Sequence, residues 1–158
     1  MRTLLLVIAF LGLIRASSAK DIDVADAFII SLPDTAKEQS RPLHPGEYPG
    51  AVLPKYHGDS FQLFMYRWRE VKATVPLKLI PEQWAKNKEW ASVTSISEET
   101  TDSGIPYVTF NTRMVRDEGH PFDSMMTVLR SSTGEVFMFQ MTGETKTIDA
   151  IRRSIKNK

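Results

Sequence analysis

Three histidines are the side chains of this sequence best suited to chemistry, and each has a carboxylate close by: His44 with Glu47, His57 with Asp59, and His120 with Glu118. Each pair lies in a polar, glycine-containing stretch. Imidazole and carboxylate together can hold zinc or another divalent ion if such loops converge. His57 or His120 could act as a general base if a second group oriented the ring. The spacing matches no known metal motif, and the plain alternative is that loop histidines sit in solvent beside abundant acids. The candidate metal set is therefore His44, His57, Asp59, Glu118 and His120.

Other catalytic patterns are missing. The chain has no cysteine, which excludes a thiol nucleophile, a disulfide scaffold and a Cys-ligated metal or iron–sulfur centre. There is no Gly-x-Ser-x-Gly elbow, no phosphate loop, no Gly-x-Gly-x-x-Gly and no His-Glu-x-x-His. Ser17-Ser18-Ala19-Lys20 fits Ser-x-x-Lys only across a predicted cleavage point. No cofactor is called for.

A second set of residues suits recognition. Tyr48, Tyr56, Tyr66, Trp68 and Trp90 are large amphipathic aromatics, and Arg67 and Arg69 stand among them. These types are enriched in the hot spots of protein interfaces. The stretch from Pro33 to Ser60 holds Pro33, Pro42, Pro45, Pro49 and Pro54, a semi-extended segment that needs little ordering on docking. The competing reading places Tyr66 and Trp68 in the core or at its rim.

The elements that must position these groups follow from periodicity. Asp21 to Leu32 reads as one strand ended by Pro33. Five prolines make Pro33 to Ser60 a long irregular segment. Phe61 to Arg69 is a strand with apolar residues on both faces, hence central, and Val71, Val75, Leu77 and Leu79 continue extended structure to Ile80. Pro81 to Ala91 is a helix begun by proline. Ser92 to Glu98 is weakly strand-like. Pro106 to Val115 alternates cleanly, with Val108, Phe110, Thr112 and Met114 on one face. Arg116 to Pro121 is a polar loop. Ser124 to Arg130 and Glu135 to Met141 form a hairpin across Ser131 to Gly134. A helix from about Thr145 to Lys156 carries Ile148, Ile151 and Ile155 on one stripe. The expected class is α+β, an antiparallel sheet flanked by two or more helices.

The first residues differ from the rest. Arg2, an apolar run from Leu4 to Ile14, and small residues at Ser17 and Ala19 describe a secretory signal peptide over residues 1–19, too short to span a bilayer. An uncleaved anchor is the alternative. Residues 20–158 then form a single domain with no further membrane span. Of 158 residues, 20 are Lys or Arg and 19 are Asp or Glu; removing Arg2 and Arg15 makes the balance slightly acidic. Such a domain lacks the basic stripe that nucleic-acid binding needs.

Three stretches resemble the PsbP-like α/β/α sandwich of exported bacterial and thylakoid-lumen proteins. They are Ala27-Phe28-Ile29-Ile30-Ser31-Leu32-Pro33, Ser103-Gly104-Ile105-Pro106-Tyr107-Val108-Thr109-Phe110, and the run Gly134 to Gly143 before the last helix. The resemblance implies a non-catalytic accessory, assembly or inhibitor-like protein and names no partner; together with the signal peptide, the expectation is a periplasmic or secreted protein that binds another exported or envelope protein. An inhibitor or immunity protein is the narrower form. A metal-dependent enzyme or metal binder, or a small-ligand or lipid carrier, are the alternatives.

Overall fold

The structure is a computed structural model that describes residues 19–40, 52–69, 71–86, 88–115 and 121–158. The leader, apart from Ala19, and the Arg116 to Pro121 loop, apart from Pro121, lie outside the described residues.

The first strand expected from sequence is in fact two. β1 (Ala19–Val24) and β2 (Phe28–Pro33) pair antiparallel. The chain reverses through Ala25 and Asp26, both left-handed at φ 53° and 59°, and Asp23 Oδ1 accepts the Asp26 N–H at 2.9 Å. Asp visits this backbone region more readily than most residues, and here the Asp23 carboxylate holds the turn while the Asp26 side chain pairs with Lys158. Val24, Phe28, Ile30 and Leu32 point inward and are buried. At the C-terminus, β10 (Lys156–Asn157) adds to β2 and makes a three-stranded sheet. Lys158 anchors this end by pairing with Asp23 and Asp26.

The second sheet has seven antiparallel strands: β3 (Lys37–Gln39), β4 (Lys55–Gly58), β5 (Phe61–Trp68), β6 (Ala91–Thr100), β7 (Pro106–Val115), β8 (Pro121–Arg130) and β9 (Val136–Gly143). Their spatial order is β3-β4-β5-β9-β8-β7-β6. β3 and β4 correct the expectation of one irregular segment from Pro33 to Ser60; both lie where the prolines do not, and residues 41–51 of that segment are outside the described residues. β5 is interior, as its two apolar faces require.

Each face of the large sheet buries its own core. Phe61, Leu63, Met65, Tyr107, Leu129, Phe137, Phe139 and Met141 meet the small sheet and α2 (Thr145–Arg153). Ile148, Ile151 and Ile155 are buried there, and Phe28 meets Phe137 edge to face at 5.2 Å. On the opposite face Phe110, Met114, Met126, Val128, Val136 and Met138 pack beneath Ile80 and Trp84.

The helices are shorter than the sequence suggests. The extended run expected up to Ile80 ends in a 3₁₀ turn, Leu77–Leu79, which feeds α1 (Ile80–Ala85). Pro81 sits in its first turn, as its missing N–H favours. α1 stops at Ala85 because Ala91 already opens β6. The flanked α/β/α sandwich expected from sequence is therefore corrected. Among the described residues the protein is predominantly β, two antiparallel sheets with two short helices, and one face of the large sheet is covered by the second sheet together with α2.

Candidate interaction surface

Among the described residues, the sequence-derived site residues do not come together on one surface. Tyr56 lies in β4 and is buried, its hydroxyl donating to Glu38 Oε2 at 3.0 Å. Burial, then this contact, push its phenol up to about 12. Arg67 is half-buried on the small-sheet face of β5. Its Nη2 donates to the Ala25 carbonyl at 3.2 Å, its guanidinium lies 5.5 Å from the Phe137 ring centre, and Glu135 stands at 3.7 Å. Arg67 thus ties the β1–β2 turn to the large sheet. Tyr66 and Trp68 are half-buried on the other face, where Trp68 packs beside the Ile80–Trp84 core. Arg69 is exposed. Tyr48 lies outside the described residues.

The metal set is not assembled among the described residues. His57 sits on β4 opposite Lys37 and Gln62, with exposed Asp59 in the following turn. His44, Glu118 and His120 lie outside the described residues. Among the described residues no group of three His, Asp or Glu side chains could hold a metal ion.

One of the candidates, Trp90, belongs to a surface that sequence reasoning did not assemble. Trp90 is 48% exposed, and its ring meets the buried Trp84 edge to face at 6.1 Å. Trp84 in turn lies 5.8 Å from Phe110. Phe110 pairs across the sheet with Ile96, which is 43% exposed. Paired residues in an antiparallel sheet share a face, so Ile96, Phe110, Trp84 and Trp90 form one apolar path from core to surface. Between α1 and β6 runs an open hollow lined by Glu82, Gln83, Ala85, Lys86 and Val93.

The floor of this surface is the sheet edge. β6 closes the order of the large sheet and pairs only with β7 among the described residues. Its ten residues give a strand of roughly 30 Å. From Thr94 onward every β6 residue is exposed. The pairing shifts between Val93 and Ser95, so Thr94 is extra, and its hydroxyl donates to the Asn111 carbonyl at 3.3 Å. Such a bulge twists the strand locally and blunts part of an edge. Ser95 to Thr100 remains in regular register.

Backbone parity along that stretch is fixed by its end. The Thr101 N–H donates to the Ile105 carbonyl at 2.9 Å, so this is a close hydrogen-bonded pair. Alternation makes Glu99, Ser97 and Ser95 bond to β7 and turns the N–H and C=O of Thr100, Glu98 and Ile96 outward. Their side chains share the α1 face. The sequence carried a weak strand signal here, but nothing in the periodicity marked it as an edge.

Solved structures place this architecture. The chain matches the solution structure of cyanobacterial PsbP (CyanoP) from Synechocystis sp. PCC 6803, with a TM-score of 0.58 over 93% of this chain and 96% of that one, at 14% identity. The fold is PsbP-like. At that identity the likeness is one of fold. No family model matches the sequence, and no curated protein matches it.

Proposed function

We propose that this protein is an exported, non-catalytic binding domain of the PsbP-like family that docks another exported or envelope protein on the α1–β6 surface. The observation that carries the reading is the exposed Trp90–Ile96 path beside a sheet edge with outward backbone groups. An exposed aromatic seated on a rigid core suits an interface anchor, and edge addition is a common way for a domain to take an extended partner. The sequence of residues 1–19 supports export, and no catalytic motif competes with the binding reading.

Affinity capture from an envelope extract tests it, comparing the wild-type chain with Trp90→Ala/Ile96→Lys. The expected result is a partner enriched by the wild type and lost by the variant, with both proteins folded. Equal capture by both would move the interface elsewhere, and turnover on a hydrolase substrate panel would contradict the non-catalytic reading.

A further inference from the structure

Resting on that reading, we infer that the partner supplies an extended segment that carries an apolar and a basic residue two positions apart, on one face, and adds to β6 as an eighth strand of the large sheet.

Three features of the Ser95 to Thr100 stretch specify that chemistry. The first is its backbone. Ile96, Glu98 and Thr100 present outward N–H and C=O groups, so a new strand gains ladder hydrogen bonds without breaking any made to β7. The second is the side chains beside those groups. Residues of the new strand opposite Ile96, Glu98 and Thr100 project to the α1 face, where Ile96 offers an apolar contact. The third is charge. Glu98 is exposed and has no hydrogen bond or ion pair among the described residues. Glu99, on the opposite face, spends its carboxylate on the Tyr107 hydroxyl at 2.8 Å and the Ser97 hydroxyl at 3.1 Å. A lysine or arginine opposite Glu98 supplies the missing counter-charge.

The same features weigh against a second copy of this chain. The Thr94 bulge leaves Ser95–Thr100 as the longest regular run of β6. Antiparallel self-pairing over so short a stretch crowds Glu98 and Glu99 of both copies into one ladder, and like charges across strands are destabilising. A basic segment reverses that sign.

The probe is the octapeptide Thr-Val-Thr-Lys-Thr-Val-Thr-Lys (the Lys–Val peptide), which sets Val and Lys in turn on one face, with Glu in place of each Lys as its control, titrated against the full chain at low salt. The Lys–Val peptide is expected to bind at least tenfold more tightly, the direction that charge complementarity dictates. Glu98→Gln weakens it about threefold, the size of an exposed ion pair. Thr100→Pro removes an outward N–H while keeping Ile96 and Glu98, and weakens binding about five- to tenfold, as loss of one ladder bond implies. A Lys–Val peptide N-methylated on alternate residues gives the same backbone test without altering the protein, should Thr100→Pro fail to fold. Equal affinity for both peptides, no binding of the Lys–Val peptide at millimolar concentration, indifference to both backbone changes, or sedimentation as a β6-dependent dimer would each overturn strand addition. Envelope capture still lost on Trp90→Ala/Ile96→Lys would then leave the docking surface standing and remove only its mode.

Discussion

Trp84 and Trp90 meet edge to face with ring centres 6.1 Å apart and planes at 84°, one ring buried and the other 48% exposed. The pair joins the core under α1 to the surface proposed for docking. Its two members should therefore separate stability from binding. Trp84→Ala empties a packed site and should cost about 3–5 kcal/mol. Trp90→Ala forfeits little more than the aromatic contact, about 1 kcal/mol, yet should abolish partner capture. Denaturant unfolding and affinity capture on the two variants measure both quantities.

Gly143 closes β9 with φ at +137°, and a Cβ there would lie 2.1 Å from the Ser60 carbonyl oxygen and 2.7 Å from Phe61 Cα. Both neighbours are backbone and cannot yield by rotating a side chain. Gly143→Ala should therefore destabilise by more than about 2 kcal/mol through strain and overpacking. Gly104, also at positive φ but with open space around its Cβ position, should lose only about 1 kcal/mol on the same change. Urea unfolding of the two variants gives the comparison.

Arg152 is buried on α2, with Nη1 donating to Thr109 Oγ1 at 2.8 Å and its guanidinium paired with Asp149. It also lies 5.8 Å from the Tyr107 ring centre. Arg152→Ala should cost about 2–3 kcal/mol, the range for charged hydrogen bonds inside a fold. Asp149 is 41% exposed, so Asp149→Asn should cost below about 1 kcal/mol, because water replaces much of what the carboxylate supplied. Equal losses would show the ion pair, rather than the Thr109 contact, to be the anchor.

Burial, then the hydrogen bond to Glu99, push the Tyr107 phenol up to about 12 from an ordinary 10.0. Tyr56 is raised to about 12 in the same way, with Glu38 as its partner. The folded state therefore resists phenol ionisation that the unfolded chain undergoes freely. That contribution is fully present below pH 10 and is lost as pH rises through about 12. The alkaline fall of the unfolding midpoint should be shallower in Tyr107→Phe than in wild type. Parallel curves would mean that the phenol is not held in its neutral form.

Much of the sheet was legible in sequence because its period is local. Pro106 to Val115 alternates without interruption and forms β7 over that range, and the Ser131–Gly134 linker forms the β8–β9 hairpin. Where non-local or backbone-level effects decide, the reading failed. The split of Asp21 to Leu32 depends on left-handed Ala25 and Asp26, although the alternation of Asp21, Ile22, Asp23 and Val24 already carried a strand of its own. β10 is two polar residues that pair only because α2 delivers them to β2. The helix begun at Pro81 ends early because Ala91 is claimed by β6, a tertiary demand that helix periodicity does not contain. The site was less legible than the fold. Trp90 is identifiable from its type, but the edge beside it exists only through strand order, and residue type alone grouped Tyr56 and Arg67 with it although the structure sets them on the opposite face of the large sheet.

The most direct test of the docking account is amide hydrogen exchange at Ile96, Glu98 and Thr100 in the free protein and in the complex with its captured envelope partner. These outward amides should exchange rapidly when free and slow at least about tenfold in the complex, as ladder hydrogen bonds require, while Ser97 and Glu99, already bonded to β7, change little. Unchanged exchange at all three, with protection appearing instead along β3 and β4 or on the small sheet, would contradict it.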